Sequence, residues 1–150
     1  MAKKADKQNE ALKILTEIRK INNLIEVLQE QINEIHTTLT NATIKPKEIN
    51  VQTSPPKDPM SDMVVQVVEY EKEIQEYQNQ LVKKKSDALK VIKQMEFDNQ
   101  TILLLRYFRG YTYEELGNYF RYSQAQTWRL LDKAKEEFIA IYNMNKNEVE

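Results

Sequence analysis

Between positions 11 and 39 apolar residues recur at alternating steps of three and four: Ala11, Ile14, Ile18, Ile21, Ile25, Leu28, Ile32, Ile35 and Leu39. This heptad spacing keeps one seam of a helix turned toward a partner. Leu15, Leu24 and Val27 widen the apolar face, so the predicted helix has room for more than one neighbour. A second stripe, Val67, Ile74, Leu81, Ala88 and Met95, is spaced by seven and flanked by Val64, Tyr70, Tyr77, Val91 and Ile92. It predicts a helix that starts at an N-cap on Ser61, with Asp62 in the first turn, and runs to about Glu96.

The segment between them, TNATIKPKEINVQTSPPKDPMS, has no period and holds all four prolines, Pro46, Pro55, Pro56 and Pro59. It predicts a loop over about 40–60, long for a compact domain and therefore functional or loosely ordered. Two helices of similar length joined this way most simply form an antiparallel hairpin over 1–96. The alternative is that the regular first seam pairs with its own copy in a dimer, and both can hold together.

After Met95 the helices become shorter and turn signals more frequent. Phe97, Thr101, Leu104, Leu105 and Phe108 share a helical face, and Gly110 follows two arginines as a C-terminal stop. Thr112-Tyr-Glu-Glu115 is a capping box, and the helix it starts ends near Phe120. Arg121-Tyr122 forms a tight link, Ser123 is a second N-cap, and a longer helix runs to about Tyr142. Thr127, Leu130, Ala134, Phe138 and Ile141 make its inner face. A short helix and a longer one joined by about three residues is the helix-turn-helix arrangement. Gly117, one residue after the core Leu116, sits where the first helix must let the second pass. As an ordinary helix position it would cost up to about 1 kcal/mol relative to alanine.

The expected class is thus all-α: a coiled-coil-like hairpin over 1–96, a helix-turn-helix domain over 97–142 and a polar tail over 143–150. The start of the second helix is where such a unit touches DNA. Arg121, Ser123, Gln124, Ala125, Gln126, Trp128, Arg129 and Lys133 are the candidate DNA-binding residues. Glutamine can pair with adenine and arginine with guanine, each through two bonds. Between Tyr119 and Lys135, Arg121, Arg129, Lys133 and Lys135 stand against Asp132 alone. Trp128 points away from the Thr127/Leu130 face, toward DNA or toward a neighbouring helix.

Composition narrows the choice. The chain is 150 residues long, 30% charged, with two glycines and a net charge of −1, so any nucleic-acid affinity must come from a local patch. With no cysteine and a single histidine, His36, it offers no thiolate metal site and no nucleophile–base pair. His36 reads as a solvated helix residue. No glycine-rich phosphate loop is present, and the carboxylates alternate with lysines as on solvated faces. We expect no enzyme, no cofactor and no metal. The polar start and the short apolar runs predict neither a secretory signal nor a membrane span, hence a protein of the cytoplasm.

YTYEELGNYFRYSQAQTWRLLDKAKEEF resembles the fourth, DNA-binding region of bacterial sigma factors. The residues that carry the likeness are Thr112, Glu114-Glu115, Leu116-Gly117, Ser123 and Lys133-Ala134. The preceding LLLRYFRG and the Ser-Pro-Pro-Lys-Asp-Pro connector are similar to small regulators of the RinA/ArpU kind, encoded by phages and prophages of Gram-positive bacteria. The specific likeness covers about a third of the chain. It implies a duplex-DNA-binding activator of phage late genes in a bacterial host cell, with Gln124, Ala125 and Arg129 facing bases. Sigma factors commonly carry Arg, Glu and Gln there, so their target sequence does not transfer. No promoter-melting region has a counterpart, so a complete sigma factor is not expected. The rival reading is a coiled-coil interaction module that docks on RNA polymerase or another protein without reading DNA, since a fold alone does not prove DNA contact.

Overall fold

The computed structural model describes residues 2–44 and 58–149, with side chains at 10–41 and 58–147. The protein is all-α: every regular element among the described residues is helical. The order is α1 (Ala2–Ile44), α2 (Pro59–Ile92), α3 (Phe97–Leu103) continued by a π-helical turn (Leu104–Phe108), α4 (Tyr113–Phe120) and α5 (Gln124–Val149). The loop expected over about 40–60 lies largely outside the described residues. α1 runs on to Ile44, and α2 begins two residues before Ser61. Asp58 takes the capping role instead: its Oδ1 accepts from Met60 N (3.1 Å) and its carbonyl from Asp62 N (3.2 Å). Pro59 occupies the first helical position, where a missing N–H costs nothing.

The chain divides into two compact units, Leu24–Asn79 and Met1–Asn23 with Gln80–Glu150. Each long helix contributes a stretch to both. In Leu24–Asn79, Ile32, Val67 and Ile74 are buried, with Ile25, Leu28, Ile35 and Tyr70 packed against them. The apolar stripes of α1 and α2 are therefore spent on each other within this unit.

The larger unit has a deeper core. Ala11, Leu15 and Ile18 of α1 and Ala88, Val91 and Ile92 of α2 are buried, as are Ile102 and Leu103 of α3, Leu116 of α4, and Leu131, Ala134 and Phe138 of α5. Leu15, not the heptad residue Ile14, is the fully buried one. An ideal helix drifts about 20° per heptad, and here α1 meets several helices rather than one parallel partner. Lys84 ties α2 to α1 through a 2.7 Å bond to Glu17 and holds that carboxyl below its ordinary value.

α2 ends at Ile92, four residues before Glu96. The turn after it is organised by Gln100, whose Nε2 donates to Met95 O (2.8 Å) and Lys93 O (3.3 Å). α3 then starts at Phe97, and its first amides find their partner on α5. Glu137 accepts from Glu96 N (2.7 Å) through Oε1 and from Asn99 Nδ2 (3.2 Å) through Oε2. A carboxylate at a helix start satisfies orphan N–H groups and opposes the helix dipole. Asn99 is only 2% exposed, so this bond also satisfies a buried amide.

Phe97, expected on the inner face, is 79% exposed, and Leu104 and Phe108 are only half-buried. The inner positions are Asn99, Ile102, Leu103, Leu105 and Tyr107. Within α3 the inner row, Asn99, Ile102 and Leu103, lies opposite Phe97 at 100° per residue, and beyond Leu103 the chain winds wider, so a 3.6-residue period does not continue through the π turn. Arg109 N donates to Leu104 O (3.1 Å) and Tyr111 N to Leu105 O (2.9 Å). Asn22 Nδ2 of α1 donates to Phe108 O (3.2 Å). Gly110, at φ +75, supplies the left-handed step that ends the segment. α5 is one helix to Val149 instead of a helix to Tyr142 with a tail. Glu10 of α1 bonds Lys146 (2.6 Å) and Tyr142 (3.4 Å) near its end.

Replacing Glu137 by alanine is expected to lower the unfolding free energy by about 1–3 kcal/mol, the cost of leaving a buried polar group unpaired. Glutamine, which keeps one acceptor oxygen, should cost less. Urea denaturation of the two variants followed by circular dichroism checks both values.

Candidate nucleic-acid interface

Thr112 lies extended before α4, its hydroxyl accepting from Glu115 N (3.2 Å) while the Glu115 carboxylate accepts from Thr112 N (3.2 Å). This is the capping box that the sequence predicts. α4 ends after eight residues on Arg121, whose φ of 58° and ψ of 42° place it in the left-handed region. Arg121 and Tyr122 both donate their amides to Gly117 O, so the last carbonyls of α4 are closed by the link itself. Holding a non-glycine residue there costs on the order of 1 kcal/mol. A second capping box starts α5: Ser123 Oγ accepts from Gln126 N (3.2 Å), and Gln126 Oε1 accepts from Ser123 N (3.0 Å).

α4 and α5 cross at Gly117. A Cβ built there would stand 3.3 Å from Thr127 Oγ1 on α5 and 3.3 Å from Tyr122 O in the link. Thr127 is itself fixed, donating its hydroxyl to Ser123 O (2.9 Å). Glycine is thus favoured by the short distance between the two helices, not by its own φ. Beside the crossing, Trp128 stacks on Tyr113 with centroids 4.4 Å apart and planes at 27°. The guanidinium of Arg106 lies 4.1 Å from the same Tyr113 ring and donates to Tyr111 O (2.8 Å). The cation and the indole therefore bind the π turn, α4 and α5 through one ring.

The eight candidate residues are all exposed, but they are not equivalent. At 100° per residue, Ala125 and Arg129 lie opposite the buried Thr127, Leu131, Ala134 and Phe138, and Lys133 lies one turn on. Gln124 faces α4 and lines a cleft of about 390 Å³ with Tyr113, Glu114, Gly117, Asn118 and Tyr122. Ser123 is occupied as a cap. Gln126 has committed its Oε1 to the Ser123 amide, so bidentate pairing with adenine would break the capping box. Trp128, 39% exposed, packs on α4, which settles the side of the helix it serves. Leu131 is fully buried where the expected inner face had Leu130, because the core of this unit lies nearer the 127/131/134/138 row.

Sequence reasoning also missed Arg106 and Tyr113 as partners of Trp128. No local pattern joins them, since the π turn brings Arg106 to the ring. Among the described residues, no carboxylate oxygen lies within 4.0 Å of Arg121, Arg129 or Lys133. Three cations on an outward helix face without internal partners can bind oxyanions. Among the described residues there is no cluster of three or more His, Cys, Asp or Glu that could hold a metal, and no helix long and apolar enough to cross a membrane.

Gly117→Leu is expected to force the helices apart and cost about 1–3 kcal/mol, as overpacking does. Ser123→Ala should cost about 1 kcal/mol through the lost cap. The fluorescence of the single tryptophan, stacked on α4, reports both in a denaturant titration. No family model, curated protein or solved structure matches this chain.

Proposed function

We propose that the chain is a sequence-specific, duplex-DNA-binding transcriptional regulator of phage or prophage origin, an activator of late genes. In this reading α4 and α5 form a helix-turn-helix, and the start of α5 enters the major groove. The observation that carries it is the unpaired cationic face at the start of α5: Arg129 outward, Lys133 one turn on and Arg121 at the link. The helix geometry suits this role, because two capping boxes fix both helix starts and the Gly117 crossing fixes the angle between them. Arg121 adds a separate argument. Glycine or asparagine would be easier at a left-handed position, so an arginine in this strained conformation favours a use for its charge. The resemblance to the fourth region of sigma factors supports the same placement.

Arg129 is the base-reading candidate, with guanine as its natural partner. Arg121 and Lys133 serve phosphates and set the register. Glu136 and Asp132 share the outward side of α5 farther along, which confines groove contact to the first turns. Three cations release few counterions, so the affinity of one chain is modest. Tight occupancy of an operator then calls for a second bound protein, another copy or a different chain.

Fluorescence anisotropy with labelled duplexes from the chain's own promoter region tests the reading. Binding should weaken with salt at a logarithmic slope of about −2, for the roughly two phosphates that Arg121 and Lys133 neutralise. Arg129→Ala should lower affinity roughly tenfold or more, with lost discrimination at one base position. Arg121→Gly should lower affinity and the salt slope by about one contact while changing stability by less than about 1 kcal/mol. A protein that binds no duplex at low salt, or whose two variants bind as the parent does, would overturn the proposal.

A further inference from the structure

The two units differ in sign. Leu24–Asn79 carries ten acidic and four basic residues, a net −6; Met1–Asn23 with Gln80–Glu150 carries 13 acidic and 18 basic, a net +5. The acids of the first unit are exposed along both helices: Glu26, Glu30 and Glu34 on α1, and Asp62, Glu69 and Glu73 on α2. Among the described residues none of these six has a cationic partner within 4.0 Å.

The same turns of α2 leave three valines in solvent, with Val64 52% and Val68 43% exposed and Val65 similar. They are not part of the unit's own core, which is built on Ile32, Val67 and Ile74. At 100° per residue, Val64, Val68 and Val65 fill the arc between the buried Val67 row and the acidic row of Asp62, Glu69 and Glu73. A short apolar strip, Val64 to Val68, is thus edged by acids on one helix face, with Lys72 one turn beyond Val68 in the same arc.

We infer that this face of α2 is a docking surface for a basic amphipathic helix of a partner protein. The valines receive the partner's apolar stripe, in the helix-to-surface manner that uses anchors at i, i+3 and i+4. The acids receive the lysines or arginines beside that stripe and speed the encounter. Charge selects this occupant over the others. A nucleic acid is repelled, and a second copy docking through the same face would bring −6 against −6. The surface belongs to the unit Leu24–Asn79 and includes none of the α5 cations.

The test uses the full chain and a fluorescein-labelled synthetic helical peptide of about 18 residues, leucine on one face and lysine on the other. A twin with glutamate for every lysine is the control. The lysine peptide is expected to bind, and the glutamate twin not to. Val64→Ser with Val68→Ser, and separately Glu69→Gln with Glu73→Gln, should each weaken binding roughly tenfold. The second pair should also flatten the salt dependence. All four positions are exposed, and circular dichroism verifies that both variants stay folded. Equal binding of the glutamate twin, or unchanged binding by both double variants, overturns the inference. So does sedimentation showing a dimer that the valine variant abolishes, which would give the face to a second copy.

Discussion

The distance between α4 and α5 at Gly117 governs the C-terminal unit. With 3.3 Å from a would-be Cβ to Thr127 Oγ1 and to the Tyr122 carbonyl, even a methyl group at 117 makes its neighbours give by a few tenths of an ångström, and a larger side chain must part the helices. Several other features are consequences of that approach. Thr127 turns its hydroxyl back onto Ser123 O, so the small polar residue at the contact is satisfied without water. The link must reverse within three residues, which drives Arg121 into the left-handed region. Trp128 then comes near enough to stack on Tyr113. A looser crossing would remove the stack and the reason for the strained turn together.

The same unit shows how helix ends are closed by distant residues. Glu137 of α5 serves the start of α3, Asn22 of α1 serves the end of its π turn, and Gln100 serves the end of α2. Each of these bonds joins groups that apolar packing alone would place only roughly. The Leu116, Leu131 and Phe138 core supplies most of the burial free energy, because each side chain is fully removed from water. The polar closures decide which rotation of each helix is compatible with that core. The outward direction of Arg129 is therefore set by residues far from it in sequence.

What the sequence makes legible follows from this division. Helix existence, the Thr112 capping box, the Ser123 N-cap, the stop at Gly110 and the special place of Gly117 are local or nearly local, and their residue types announce them. The all-α class follows from the two long periodic stripes. Phases that depend on tertiary contact are not announced. Phe97 fits a periodic face, yet α3 turns the opposite row, Asn99, Ile102 and Leu103, inward and leaves Phe97 in solvent, and the π turn then brings Leu105 and Tyr107 in. Leu15 replaces Ile14 inside because the base of α1 faces several helices. Gln126 looks like an adenine reader by residue type and position; its engagement in a capping box becomes visible only when Ser123 is recognised as the cap with glutamine three residues on.

Charge gives the two units opposite preferences that neither fold nor packing dictates. A polyanion approaching the chain meets net +5 on one unit and net −6 on the other, so it is drawn to the first whatever the details of its sequence. A basic protein surface experiences the reverse. The overall charge of −1 conceals this because the two contributions nearly cancel. Salt separates them: beyond a Debye length of about 8 Å at physiological ionic strength, each unit acts only on what is close to it. In the proposed reading the α5 cations meet a nucleic acid and the α2 valine strip meets a protein. Two such contacts on one chain would also answer the weakness of so few phosphate contacts, because a partner held at the acidic unit raises the effective concentration of the basic unit wherever that partner is itself bound to DNA.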